Sequence, residues 1–115
     1  MNGMHCKIAF ASEKLKQAFL ELKQGKFEEK QLAESIEKAM LALKENAFAG
    51  VSIPKRLWPL EYVKSFGINN LRKCNLPKAW RLVYTVKKSE TETVSVLLEW
   101  FDHKNYENRF KYKVG

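Results

Sequence analysis

The sequence lacks the features that mark several large classes of protein. Its 115 residues include two cysteines, Cys6 and Cys74, whose separation gives neither a disulfide framework nor the spacing of metal ligands. No apolar run approaches the roughly 18 residues that a membrane span needs. The first ten residues carry one Lys and only a short apolar stretch, so we expect no export signal, no membrane partner and a cytoplasmic protein.

The motifs of several enzyme classes are missing as well. The chain has no glycine-rich phosphate loop, no nucleophile elbow and no zinc-protease motif. It also has no cluster of Asp and Glu that would hold Mg²⁺. We therefore expect neither a metal nor a cofactor, and a metal-dependent nuclease is disfavoured.

The charge is uneven along the chain. The net charge is +8, yet the first 50 residues hold eight basic and seven acidic side chains, against thirteen and six in the other 65. The two parts therefore carry +1 and +7. A local basic excess is expected of a surface that faces phosphates, because each neutralised phosphate releases counterions. The alternative is that the lysines only keep an exposed face soluble.

Hydrophobic periodicity predicts a single domain, 1–115, that begins with a strand and a helical hairpin. Apolar residues alternate over 4–10, as in a strand with one face inward. Ser12 is suited to cap a helix that ends by Gly25, and a second amphipathic helix fits 28–45. The apolar stripes of this hairpin are interpreted as core and not as a partner groove.

The second half of the chain predicts a sheet. Residues 47–66 read as an ordered loop with a short helix at 60–65. Strands are predicted at 70–76, 80–88 and 93–101, with an edge strand at 110–114. Arg81 would share one face of its strand with Val83 and Thr85. The order of elements predicts an α+β fold of two layers, with helices on one face of a small, mainly antiparallel sheet.

A resemblance to the RelE/ParE toxin family of bacteria and archaea is carried by two segments, NLRKCNLPKAWRLVYTV and VSVLLEWFDHKNYENRF. In that family a strand with an Arg-hydrophobic-hydrophobic-Tyr pattern leads to a strand that ends in a basic, Tyr-containing segment. The similarity covers about residues 48–112. It implies a small twisted antiparallel sheet with an N-terminal helical hairpin packed on it, which agrees with the periodicity.

The resemblance also implies a function, that of the toxin in a type II toxin–antitoxin pair. RelE-like members enter the ribosomal A site and cut mRNA without metal, by attack of a ribose 2′-hydroxyl on the neighbouring phosphate. The partners implied are a cognate antitoxin, the ribosome and mRNA. Such a reaction needs a proton acceptor, cations at the phosphate, a donor for the leaving oxygen and stacking partners for the bases.

Arg81 is the first candidate for a catalytic residue, because it matches the Arg of the family's strand motif. Its planar guanidinium can hold two phosphate oxygens. The alternative is a structural ion pair between Arg81 and Glu99 or Asp102.

Arg72 and Lys73 are further catalytic candidates, since the family places catalytic lysines on this strand. Crowding of cations there favours a neutral Lys that could accept a proton. Counting back from Arg81, however, Cys74 occupies one position where the family has Lys, so the general base stays open.

The segment after the last predicted strand supplies His103 and Lys104 as catalytic candidates. His103 could exchange a proton near neutral pH, although a His next to an Asp favours a structural hydrogen bond at least as strongly. Tyr106 could stack on a base or merely cap the core, and Arg109 could bind a phosphate. The remaining RNA-binding candidates are the cations Lys55, Arg56 and Lys78.

Two further functions stay open from sequence. One is a ParE-like inhibitor or binding module that does not cleave RNA, and the other is an RNA-binding domain without toxicity. An enzyme should gather its basic candidates on one concave patch, whereas a binding module could scatter them or pair them with acids. The basic candidates are Arg72, Lys73, Arg81, His103 and Lys104.

Overall fold

A computed structural model of the chain describes residues 5–110. Within this range, four α-helices and a five-stranded mixed sheet form an α+β fold. The elements are β1 (His5–Phe10), α1 (Glu13–Lys23), α2 (Phe27–Glu45), β2 (Val51–Ser52), α3 (Leu60–Phe66), β3 (Arg72–Leu76), β4 (Trp80–Lys88), β5 (Glu92–Phe101) and α4 (His103–Phe110). The predicted helical hairpin and the three longer strands of the second half are confirmed.

The strands lie in the order β1-β5-β4-β3-β2. The first strand runs parallel to β5, and the other neighbouring pairs are antiparallel. The sheet is therefore mainly antiparallel, as predicted. The two-residue strand β2 pairs with Arg72 and Lys73, in a segment for which the sequence predicted only a loop and a short helix.

The helical hairpin covers one face of the sheet. The Ser12 hydroxyl accepts a hydrogen bond from the Leu15 amide at 3.1 Å, which caps α1 as predicted. The Glu29 carboxylate accepts from the Lys26 amide at 2.8 Å where α2 begins. The core beneath the hairpin contains Phe19, Leu32, Ile36, Leu43, Leu82, Tyr84, Val86 and Leu97.

The opposite face of the sheet is covered by α3 and α4, although the sequence predicted helices on one face only. A second core there contains Ile53, Tyr62, Ile68, Leu71, Val83, Leu98 and Phe110. The difference arises because the segment after β5, for which the sequence predicted no helix, forms α4. Phe110 is the last residue of α4 and not the start of a strand, and residues 111–114 lie outside the described range.

A three-residue turn, Pro77–Ala79, joins β3 to β4. Lys78 and Ala79 both have a positive φ, 60° and 63°, a conformation that costs an L-residue roughly 1–2 kcal/mol. The turn sets the register in which Leu76 pairs with Trp80 and Asn75 with Arg81. The turn that aligns the two basic strands, β3 and β4, therefore contains two residues in a strained backbone conformation.

Candidate nucleic-acid interface

Two cations of the central strands share the sheet face that α4 covers. Lys73 lies opposite Val83 and Asn75 lies opposite Arg81 in the β3–β4 pair. Because side chains alternate along a strand, Lys73 and Arg81 point to the same side as Val83, as the sequence predicted for Arg81. Both cations therefore point toward α4.

Tyr106 of α4 lies between these cations and the second core. The Lys73 Nζ atom is 4.9 Å from the centroid of the Tyr106 ring, and the Arg81 guanidinium carbon is 5.7 Å from it. The ring itself stacks on Phe110 at 4.6 Å between centroids. The negative face of an aromatic ring attracts cations. Tyr106 thus packs on the core, as one prediction had it, and holds two positive charges beside each other.

No carboxylate of residues 5–110 neutralises Lys73 or Arg81. Arg81 donates through Nη1 to the Trp80 carbonyl at 3.2 Å, while its buried Nε has no hydrogen-bond partner in this range. The alternative that Arg81 pairs with Glu99 or Asp102 is not realised. The site therefore keeps positive charge and unused donor capacity for an anionic ligand.

Arg109 binds two acids of this face, Glu99 and Glu61. Its Nη2 atom lies 3.2 and 3.0 Å from the two carboxylate oxygens of Glu99, and its Nη1 donates to Glu61 of α3. A bulge in β5 makes this possible, because Val83 pairs with Glu99 and Tyr84 with Leu97. The extra residue turns Glu99 toward α4. Arg109, predicted to bind phosphate, is held in an ion pair network.

The hydroxyl of Tyr62 donates to Glu99 in the same network. Burial raises the pKa of Tyr62, and the hydrogen bond and charge of Glu99 raise it further. Partial burial lowers the pKa of Arg109, but its contacts with Glu99 outweigh this and raise it overall. Tyr62 therefore stays a neutral hydrogen-bond donor, and Arg109 stays charged. Through Arg109, α4 is bound to both α3 and the sheet.

Arg72 lies on the opposite face of β3, under the loop that follows α2. Its Nη2 donates to the carbonyls of Phe48 and Gly50, at 3.1 and 2.7 Å. Cys74 shares this face and packs against the first core. Burial raises the pKa of the Cys74 thiol, although the charge of Arg72 opposes the shift. The structure does not bring Arg72 to the Tyr106 cluster.

The other basic candidates are exposed or contact other side chains. His103 Nε2 is 3.2 Å from a carboxylate oxygen of Glu107, and Lys104 beside it is exposed. Lys55 and Arg56 are exposed in a single 3-10 turn, Lys55–Leu57. Lys78 donates to the Gln31 side chain at 3.0 Å. Of the five proposed catalytic side chains, the structure gathers two.

From sequence, Glu99 was named only as an alternative partner of Arg81, and Glu61 was assigned no role. In the structure both carboxylates bind Arg109, and neither pairs with Lys73 or Arg81. The sequence does contain a signal for α4, in the spacing of the residues from Asp102 to Phe110. The Asp102 carboxylate accepts from the Asn105 amide at 2.8 Å, so Asp102 caps α4, and Tyr106, Arg109 and Phe110 follow at helical spacing. These residues predict a helix with its aromatic and basic side chains on one face.

The cluster can bind and stabilise negative charge through Lys73 and Arg81, and it offers the Tyr106 hydroxyl as a proton donor. No group of three or more His, Cys, Asp or Glu among residues 5–110 is arranged to hold a metal ion. In the same range, none of the helices combines the length and the apolar character needed to cross a bilayer. Comparisons with family models, with curated proteins and with solved structures found no match to this chain.

Proposed function

We propose that this protein is a RelE/ParE-like toxin that acts as an endoribonuclease on ribosome-bound mRNA in the cytoplasm. The observation that carries the proposal is the pair of cations, Lys73 and Arg81, held at one tyrosine ring without a carboxylate partner in the described range. A strand and helical hairpin followed by an antiparallel sheet are also what the family resemblance implies.

In the proposed reaction, the 2′-hydroxyl of a ribose gives its proton to a water molecule while its oxygen attacks the adjacent phosphorus, and the bond from phosphorus to the 5′-oxygen of the next nucleotide breaks. The products are a 2′,3′-cyclic phosphate and a free 5′-hydroxyl. Arg81 would hold the phosphate oxygens, and Lys73 would add a second positive charge where negative charge develops. Tyr106 would place both cations and give its hydroxyl proton to the leaving 5′-oxygen, and the phenolate would regain a proton from water.

A second candidate function is a non-enzymatic inhibitor or RNA-binding module of the same fold. It is favoured by the dispersal of the basic side chains, since Arg72 lies on the other face of the sheet and His103 and Arg109 contact carboxylates. In either case the cognate antitoxin would be an acidic chain that folds onto the basic surface.

Primer extension on an mRNA translated in a reconstituted system tests the proposal. Purified protein should produce cuts that require ribosomes, and the fragments should carry the cyclic phosphate and 5′-hydroxyl ends. A ribosome-free reaction is the control. Intact mRNA in the presence of folded protein and active ribosomes would reject the enzyme and leave the binding module.

A further inference from the structure

The loop that follows α2 is fixed to the sheet by four hydrogen bonds. The Tyr84 hydroxyl donates to the Ala47 carbonyl at 2.8 Å and accepts from the Gly50 amide at 3.0 Å. Arg72 donates to the carbonyls of Phe48 and Gly50. A Cβ atom at Gly50 would lie 2.5 Å from the Lys73 carbonyl oxygen and 2.7 Å from the Tyr84 hydroxyl, so only glycine permits this approach.

This rigid loop presents an aromatic ring to solvent. Phe48 is 45% exposed and is assigned to neither core of the described residues. The guanidinium carbon of Arg72 is 5.1 Å from the ring centroid, and the Lys88 Nζ is 5.0 Å from it. The loop carries the exposed ring, and the sheet supplies the two cations beside it. Together they form a prearranged surface for a flat and negatively charged ligand.

A surface pocket of about 520 Å³ adjoins the ring, lined in part by Asn69, Asn70, Lys87 and Lys88. The Asn70 side chain is occupied, because it bonds the Val86 backbone and the Thr85 hydroxyl. The Asn69 side chain contributes its oxygen to Asn70, which leaves its amide nitrogen as a donor. The pocket therefore offers a hydrogen-bond donor and two exposed lysines next to an aromatic face.

We propose that Phe48, Arg72 and Lys88 form a second RNA site, which stacks one nucleobase and binds the neighbouring phosphate. The identity of the ligand as RNA rests on the proposed function. Stacking on an aromatic side chain tolerates every base, and Arg and Lys supply the charge that a phosphate needs. Because Arg72 and Lys73 face opposite sides of β3, this site is separate from the Tyr106 cluster. It therefore contributes to RNA affinity and not to cleavage chemistry.

Fluorescence anisotropy with a labelled single-stranded oligouridine tests the site directly. Phe48→Ala should weaken RNA binding by about 5- to 150-fold, the range measured for loss of one base stack. Phe48→Tyr should bind as the native protein does. Lys88→Gln should reduce the slope of log affinity against log salt by about 0.7. The matched control is Phe27→Ala, which removes a 72% exposed ring on α2 and should leave the affinity unchanged.

Equal affinity of Phe48→Ala and the native protein would overturn the proposal, as would an equal loss in Phe27→Ala. Loss of binding to a protein partner without loss of RNA binding would also overturn it. In the translation assay, Phe48→Ala should raise the KM for cleavage and leave the single-turnover rate constant unchanged. Native protein that binds RNA through Phe48 without cutting it would reject the proposed enzyme and retain this site.

Discussion

Arg109 of α4 and Glu99 of β5 form an ion pair in which one guanidinium nitrogen lies within 3.2 Å of both carboxylate oxygens. The same arginine reaches Glu61, so one side chain joins α4, α3 and the sheet. This pair determines the site in two ways. It fixes α4, which carries Tyr106 to Lys73 and Arg81, and it occupies Glu99, a carboxylate on the sheet face that these cations share.

Glu99→Gln should therefore loosen α4. The change leaves Arg109 with a weaker partner and should lower the free energy of unfolding by about 1.5–3 kcal/mol, as for other hydrogen bonds to charged groups. Urea denaturation measures this, and amide exchange across α4 should become faster. The control is Glu107→Gln, which removes an exposed carboxylate beside His103 and should change stability by less than about 0.5 kcal/mol. Equal effects of the two substitutions would contradict the assigned role of Glu99.

Ala79→Gly should stabilise the protein. Ala79 has φ of 63°, which glycine adopts without the steric cost of a Cβ. After the greater flexibility of glycine in the unfolded chain is deducted, we expect a gain of about 0.5–1 kcal/mol in urea denaturation. Ala49→Gly is the matched control, because Ala49 is not among the positive-φ residues and should only lose stability. A loss of stability in Ala79→Gly would show that the turn is not strained.

The buried thiol of Cys74 predicts a pH dependence of stability. Burial raises the pKa of Cys74 above its ordinary value of 9.0, so the folded chain holds this proton more tightly than the unfolded chain. The resulting stabilisation is complete below pH 9. It is lost as the pH rises through the pKa that Cys74 has in the folded chain. Burial also raises the pKa of Tyr84 above 10.0, which extends the decline.

Cys74→Ala isolates the contribution of the thiol. Its free energy of unfolding should fall less steeply than that of the native protein just above pH 9, while the Tyr84 contribution at higher pH persists. Urea denaturation at a series of pH values provides the comparison. Parallel pH profiles for the two proteins would show that Cys74 ionises equally in the folded and unfolded chains.

Much of the fold could be predicted because its signals are local. The alternation over β4 placed Leu82 and Tyr84 opposite Arg81, and Ser12 marked the start of α1. The parallel pairing of β1 with β5 and the second helical layer depend on contacts between distant parts of the chain. Pattern alone does not specify these contacts.

The candidate site was harder to predict, because it depends on the face to which each side chain points. Arg72 and Lys73 are adjacent and both basic, yet only Lys73 shares a face with Arg81. The bulge in β5 has no clear sequence signal, but it decides that Glu99 meets Arg109. Residue type therefore identified the basic candidates. The strand register then determined which of them, Lys73 and Arg81, lie on the same face of the sheet.

Single-turnover cleavage of ribosome-bound mRNA by Arg81→Ala tests the central claim most directly. We expect a loss of about 100- to 1000-fold in the rate constant, since Arg81 would stabilise charge that develops in the transition state. The fold should be retained, because the Arg81 side chain forms no ion pair within residues 5–110.

The matched control is Lys30→Ala, which removes an exposed cation of α2 on the other side of the sheet from Tyr106 and should cleave within a few-fold of the native rate. We expect a large loss of cleavage in Arg81→Ala alone, in a protein that still unfolds cooperatively in urea. A native cleavage rate in folded Arg81→Ala would contradict it, because the uncompensated cation at Tyr106 would then have no part in the chemistry.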